Sequence, residues 1–304
     1  MIAWLFVRLQ YLLPHHLLCR AVYGLTRSHW VWWKNFLIRR FVRHYHPQMS
    51  EALETDPLRY ESFNAFFTRA LRPHARPIPR EPRRILSPCD GTVSLCGSFA
   101  GDTRLWAKGH RYELASLLGG DREWTERLHG AHFATLYLAP YDYHRVHMPL
   151  SGQLRSAWHV PGRLFSVNAV TAAGVPGLFA RNERIICAFE GEYGDFAVVL
   201  VGALFVGSMS TVWHGEVTPW RPRSSSRGVH RLAPPAIAAA PKPRGAEFGR
   251  FNMGSTVIVL LPGSGVHWDE AACRSGVTCR VGQPLGTVGP LGSRPGAASG
   301  TTRA

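Results

Sequence analysis

The chain has 304 residues, 45% hydrophobic and 18% charged, with 35 Lys+Arg against 20 Asp+Glu and a formal net charge of +15. That composition excludes a disordered chain and supplies ample material for a core. The basic balance asks for an anionic partner (nucleic acid, acidic substrate or anionic lipid), although a bias toward Arg codons would give the same count.

Only Lys34, Lys108 and Lys242 are lysines; the other basic residues are arginines, whose planar fork of donors suits phosphate and carboxylate. Cys19, Cys89, Cys96, Cys187, Cys273 and Cys279 include no CxxC pair, so neither a zinc ribbon nor a thioredoxin-type site is indicated. In a chain of this length the expectation is free thiols in a reducing compartment.

In chain order, the opening MIAWLFVRLQYLLPHHLL is apolar, but no charge precedes the run and no small-residue cleavage site follows, unlike a signal peptide. Arg8 and Pro14 interrupt it, so it is not expected to cross a membrane. Residues 1–46 are expected to be helical. Trp30, Trp33, Leu37 and Phe41 recur at helical spacing as one apolar stripe, with Lys34, Arg39, Arg40 and Arg43 crowded beside it. Such a helix can lie in the interface of an anionic bilayer or pack on the core of its own protein. Residues 58–73 are expected to form a further helix ending before Pro73. From Arg84 onward, GTVSLCG, HFATLYLAP, RIICAFEG, FAVVLVGALFVGSMSTVW and STVIVLLP alternate with Gly and Pro, which predicts strands and turns. The fold class is therefore α+β: N-terminal amphipathic helices for membrane association over 1–72, a β-rich catalytic domain over 73–286, and a tail without order over 287–304. Residues 221–245, rich in Pro, Ala, Ser and Arg, are expected to be an exposed loop.

Three stretches can carry chemistry. In GRFNMGSTVIVLL, a Gly-Ser-Thr triplet meets an apolar run: a turn before a strand, or a flexible glycine whose carbonyl is open to the next serine. In YLAPYDYHRVHMPL, His144 and His147 offer an acid–base pair, or a metal pair like the nearby His129 and His132; no HExxH and no neighbouring cysteine completes a zinc set. In SPCDG, Asp90 marks a turn or orients a histidine.

Taken in order, SPCDG, YHRVHMP and GRFNMGSTVIVLL resemble the motifs of bacterial phosphatidylserine decarboxylases. FNAFFTRALRPHARPI, KGHRYELASLLG, PGRLFSVN, LFARNERIICAFE and VGALFVGSMSTVWHGEVTP are similar to further segments of that family, so the resemblance covers most of residues 60–285. It implies self-cleavage between Gly254 and Ser255 by Asp90, His147 and Ser255, giving chains 1–254 and 255–304. It implies a covalent pyruvoyl cofactor made from Ser255, a Schiff base between that group and phosphatidylserine, and a role for His144 in decarboxylation. Met253 stands where the family usually has Leu, a near-isosteric change. Phe165 and Ser166 are implied to border the lipid, no metal is implied, and the lone catalytic-region lysine, Lys108, argues against pyridoxal chemistry.

The implied partner is phosphatidylserine in an anionic membrane rather than nucleic acid. The implied assembly is a homodimer of processed heterodimers, peripheral on the cytoplasmic side of the inner membrane. A different serine-headed lipid stays open as substrate. A serine hydrolase would need G-x-S-x-G, which the chain lacks. A non-enzymatic basic module would give Asp90, His147 and Ser255 no work and would leave the chain unbroken.

Overall fold

The computed structural model describes residues 2–99, 104–107, 110–206, 208–217, 229–232 and 240–289. Lys108, most of the 221–245 segment and the tail from 290 lie outside the described residues. Helix α1 (Ile2–Leu12) stops before Pro14, which opens α2 (His15–Thr26). Proline lacks the N–H that a helix interior needs but fits where a helix begins. No described helix is long and apolar enough to cross a membrane.

Helix α3 (Val31–Tyr45) ends at His46, whose left-handed backbone returns its N–H to Val42 O. Its inward stripe is Lys34, Ile38 and Phe41, while Trp30, Val31, Trp32 and Phe36 are exposed. The stripe expected from Trp30, Trp33, Leu37 and Phe41 is thus rotated: Phe41 is inside, Trp33 and Leu37 are half-buried, and Trp30 is outside. The cause is α4 (Phe63–Phe67), whose Phe63, Phe66 and Phe67 rings stand 5.4–5.9 Å from Phe41 and fix the helix by that residue. Lys34 is tolerated inside because its ammonium donates to Leu58 O at 2.8 Å and Asn35 Oδ1 at 2.9 Å.

The single helix expected over 58–73 is also corrected. A 3₁₀ turn at Pro57–Arg59 and the five residues of α4 replace it. Ser62 caps Ala65 N, the Thr68 hydroxyl turns back to Asn64 O, and Leu71 leaves in an extended bridge to Ala52. These side-chain-to-backbone bonds compete with helix continuation.

The strands are β1 (Arg84–Leu86), β2 (Gly91–Ser98), β3 (Arg104–Ala107), β4 (His110–Glu113), β5 (His132–Tyr137) and β6 (Arg145–His147). They continue with β7 (Gln153–Val160), β8 (Arg184–Glu190), β9 (Phe196–Val201), β10 (Met209–Thr211), β11 (Gly215–Val217) and β12 (His230–Arg231). The last are β13 (Glu247–Phe251), β14 (Thr256–Leu261), β15 (Val266–Trp268), β16 (Thr278–Cys279) and β17 (Pro284–Val288). The run FAVVLVGALFVGSMSTVW breaks into β9 and β10, and β17 crosses the 286/287 boundary drawn from the sequence.

Eight strands form an antiparallel sheet in the order β12-β7-β8-β9-β14-β5-β2-β16. Residues 185–189 of β8, all of β9 and 257–261 of β14 read as unbroken apolar runs because the sheet is covered on both faces. On one face Val257, Val259 and Leu261 join Cys187, Phe189, Val198 and Leu200. On the other, Ile258 and Leu260 join Ile186, Val199 and Val201 beneath Leu114, Leu117 and Trp124. A smaller sheet, β11-β10-β13-β6, lies alongside in the chain path: β13 belongs to it, and the next strand, β14, to the large one. Residues 252–255 are the crossover between the two sheets.

Candidate active site

The crossover is held at both ends. Before it, Phe251 N donates to His144 O at 3.0 Å, and beyond it Leu138 N donates to Ser255 O at 2.9 Å. In its middle, Asn252 donates to Ser208 Oγ at 2.7 Å and Ser210 Oγ at 3.1 Å. Ser208 also bonds Glu216, which pairs with Arg27 at the C-terminal cap of α2. A polar chain therefore ties the N-terminal helices to the residue two before Gly254.

Gly254 does not take the left-handed backbone that glycine alone adopts freely. Its need for glycine is a close approach instead. A Cβ there would stand 3.2 Å from His144 Nε2 and 3.5 Å from Leu138 O. Ser255 is fully buried, and its Oγ has no hydrogen-bond partner. The Nε2 of His144 is also buried without a partner. Two unsatisfied polar atoms flanking one peptide bond are costly unless they have work to do.

His144 is fixed by its other nitrogen and by stacking. Nδ1–H donates to Asp142 O at 2.9 Å, and the ring lies 4.1 Å from that of Phe67. Burial drives its pKa down to about 3, so the imidazole is neutral with a bare acceptor aimed at Gly254.

His147 differs in its partners. Nδ1–H donates to Gly245 O at 2.8 Å, and Nε2 accepts from the Tyr143 hydroxyl at 3.1 Å. Burial lowers its pKa as well, opposed more weakly by the bond to Gly245 O and then by the charges of Glu247 and Asp90. Asp90 accepts from Arg76 through both carboxylate oxygens and from Val281 N at 2.8 Å. Among the described contacts no hydrogen bond joins Asp90 to His147 or His147 to Ser255. The structure thus brings His144 to the Gly254–Ser255 bond and gives Asp90 and His147 other partners.

Several residues at the site escaped the sequence reading. Arg76 braces Asp90 and also Glu51. Asp142, in the same YDYH run, is pushed up to about 6 by burial, while Ala139 N donates to it. Arg69 is buried, donates one bond to Tyr141 O, and keeps Nε and Nη1 unpartnered. It borders two clefts, one lined by Arg76, Asp90, Asp142 and Tyr143, the other by Arg27, Asn64, Arg145 and Arg250. The available signal was the rule that a buried carboxylate needs a cation, which pointed to some arginine without saying which. Replacing Arg76 by Ala leaves Asp90 without its ion-pair partner. It is expected to cost about 3–5 kcal/mol of unfolding free energy, read from urea titration; a loss below about 1 kcal/mol would mean that Asp90 is effectively solvated.

Asn182 donates to both Phe165 O at 2.8 Å and Gly202 O at 2.9 Å, and Gly202 follows Val201, the β9 residue paired with Thr256. Phe165 is buried, its backbone is clamped by Asn182, and its ring meets Tyr11 and His15 at 4.9 and 5.1 Å. Ser166 N donates to Gln10 Oε1 at 2.7 Å. Both sit beneath α1 and α2.

The profile of the phosphatidylserine decarboxylase family matches residues 63–287, and a second profile described as PSD matches residues 5–46. A phosphatidylserine decarboxylase proenzyme of Methylococcus capsulatus is 49% identical over 283 residues, spanning 93% of this chain and 96% of that protein. Proenzymes so named from Alkalilimnicola ehrlichii and Azotobacter vinelandii are 53% and 50% identical, over 83% and 93% of this chain and 86% and 97% of their own lengths.

Proposed function

The chain belongs to the phosphatidylserine decarboxylase family, and from that premise we propose a proenzyme that cuts itself at Gly254–Ser255 and then converts phosphatidylserine to phosphatidylethanolamine and CO2. It is a carboxy-lyase whose cofactor is a pyruvoyl group derived from serine. The observation that carries the assignment to this bond is the unpartnered Ser255 Oγ, one residue from the glycine that faces the unpartnered His144 Nε2.

In self-cleavage Ser255 Oγ loses its proton to a histidine and attacks the Gly254 carbonyl carbon. The peptide nitrogen leaves, and the acyl group passes to oxygen as an ester. Removal of the Ser255 Cα proton expels the Gly254 carboxylate and leaves dehydroalanine, which water converts to the ketone with loss of ammonia. The residues present fit this product: a small side chain, fully enclosed, at the start of a central strand. When formed, the group supplies a carbonyl that takes up the electrons released as CO2 departs.

By the family resemblance Asp90, His147 and Ser255 perform the cleavage, and His144 holds and returns the proton during decarboxylation. A second reading is favoured by one observation: the tautomer set by Asp142 O leaves His144 Nε2 bare toward Gly254, so His144 serves the cleavage too. The arginine-lined cleft suits the phosphate and carboxylate of the headgroup. The test is intact mass under denaturing conditions with CO2 release from phosphatidylserine vesicles. Two chains meeting at 254/255, the shorter lacking one ammonia relative to a serine start, support the reading; an unbroken chain that accumulates no product overturns it.

The exposed side chains of the N-terminal helices support peripheral membrane association, with the cytoplasmic face of the inner membrane as the proposed location. Leu9, Leu12 and Leu17 are exposed on α1 and α2, and Trp32 and Phe36 on α3 line one groove with Arg39, Arg40 and Arg43. Apolar rings beside arginines fit an anionic interface. Trp32→Glu with Phe36→Glu is expected to weaken sedimentation with phosphatidylglycerol vesicles at least tenfold while leaving self-cleavage intact; unchanged binding would move the contact elsewhere. Phe165 and Ser166 remain proposed lipid neighbours, a reading supported by Asn182, which ties Phe165 O to Gly202 O beside the β9 residue paired with Thr256. A homodimer of processed heterodimers is the proposed assembly.

A further inference from the structure

The six thiols are all free, and none enters the chemistry above. Two pairs straddle the cleavage bond: Cys89 with Cys279, and Cys96 with Cys273. They differ in surroundings. Cys89 and Cys279 are buried, burial pushes both thiols up, and Cys279 is held by Ser87 Oγ at 3.3 Å. Cys96 and Cys273 are half-buried.

The backbone sets this second pair face to face. After β15 the chain folds back along the outer edge of β2. Trp268 Nε1 donates to Gly97 O at 3.3 Å, Ser275 Oγ to Ser94 O at 2.9 Å, and Gly276 N to Val93 O at 2.8 Å, before Thr278 pairs with Thr92. Residues 268–278 therefore descend beside 97–92, which brings Cys273 level with Cys96. The two thiols are interacting neighbours that pack against one core cluster, and Cys273 Sγ also donates to Leu285 O at 3.2 Å.

We propose that Cys96 and Cys273 are a dithiol–disulfide pair that, once oxidised, covalently joins the two chains left by self-cleavage. The joining rests on cleavage at Gly254–Ser255; the bond itself does not. The oxidant is a low-molecular-weight disulfide such as oxidised glutathione. The Cys273 thiolate attacks one sulfur and expels a glutathione thiolate. The Cys96 thiolate then attacks the Cys273 sulfur of the mixed disulfide and expels the second. Two thiols are oxidised, two glutathiones are released, and electrons balance. The interaction between the two thiols lowers the pKa of Cys273 and raises that of Cys96, which makes Cys273 the first nucleophile. In the precursor this bond closes a loop within one chain. In the processed enzyme it replaces the connection lost at residue 254.

The experiment treats the purified enzyme with oxidised glutathione, blocks remaining thiols, and compares denaturing gels with and without reductant. Nearly all of the short chain is expected to migrate with the long chain until dithiothreitol is added. Cys96→Ser and Cys273→Ser are each expected to abolish the link, and Cys89→Ser to keep it. A tryptic map makes the test independent of processing, since peptide 85–104 must be joined to the peptide ending at Arg274 and not to peptide 275–280. Chains that separate after oxidation, an absent 85–104 to Arg274 product, or a link that survives Cys96→Ser overturns the proposal.

Discussion

A Ser255→Ala chain is expected to stay a single full-length species and to release CO2 from phosphatidylserine at least about 10⁴-fold more slowly than the processed enzyme. In the proposed cleavage, alanine removes the oxygen that attacks Gly254 and leaves no leaving group for the elimination, so no alternative nucleophile restores the cofactor. The variant is informative because it should fold. Ser255 Oγ has no hydrogen-bond partner, and its removal breaks no contact while relieving a buried, unsatisfied hydroxyl. Near-UV circular dichroism and a cooperative urea transition should therefore be retained. A folded Ser255→Ala chain that still splits at 254/255, or that decarboxylates at the wild-type rate, would remove Ser255 from the chemistry.

Much of the central sheet was legible in the sequence. The runs at 185–189, 196–201 and 257–261 are unbroken and apolar, and strands covered on both faces have that pattern. The N-terminal third was read less well. There the inward phase of α3 depends on three phenylalanines more than twenty residues away, and the end of α4 depends on hydroxyl-to-backbone bonds. Local periodicity carries neither. The site split the same way. Asp90, His144, His147, Gly254 and Ser255 were named through motif resemblance, but which histidine faces the Gly254–Ser255 bond is a matter of register between β6 and β13. Arg76 and Arg69 are cations whose partners lie 14 and 72 positions along the chain. The close approach at Gly254, where a Cβ would stand 3.2 Å from His144 Nε2, is likewise a long-range constraint that local sequence does not carry.

That register leads to the second large effect. His144→Ala is expected to slow self-cleavage by about 10²–10⁴-fold at pH 7, the usual worth of a positioned proton acceptor. His144→Gln should do the same with less disturbance of the packing on Phe67. A His144 variant that processes at the wild-type rate yet fails to decarboxylate would eliminate His144 from cleavage and leave His147 as its base. The pH profile is a second readout. A histidine titrating near 6.5 would lose cleavage rate tenfold per unit below that pH. His144, held down to about 3, stays neutral and keeps its rate through the same range. Stability moves differently. Between about 3 and 6.5 the unfolded chain takes up a proton at residue 144 that the folded chain refuses, so this contribution is complete above pH 6.5 and is lost progressively as pH falls toward 3. Measured on the uncleaved Ser255→Ala background, the urea midpoint should drop from pH 7.5 to 5.5, and His144→Gln should make that drop smaller. An unchanged pH dependence in His144→Gln would mean that the imidazole titrates alike in both states and is not the neutral acceptor that its burial implies.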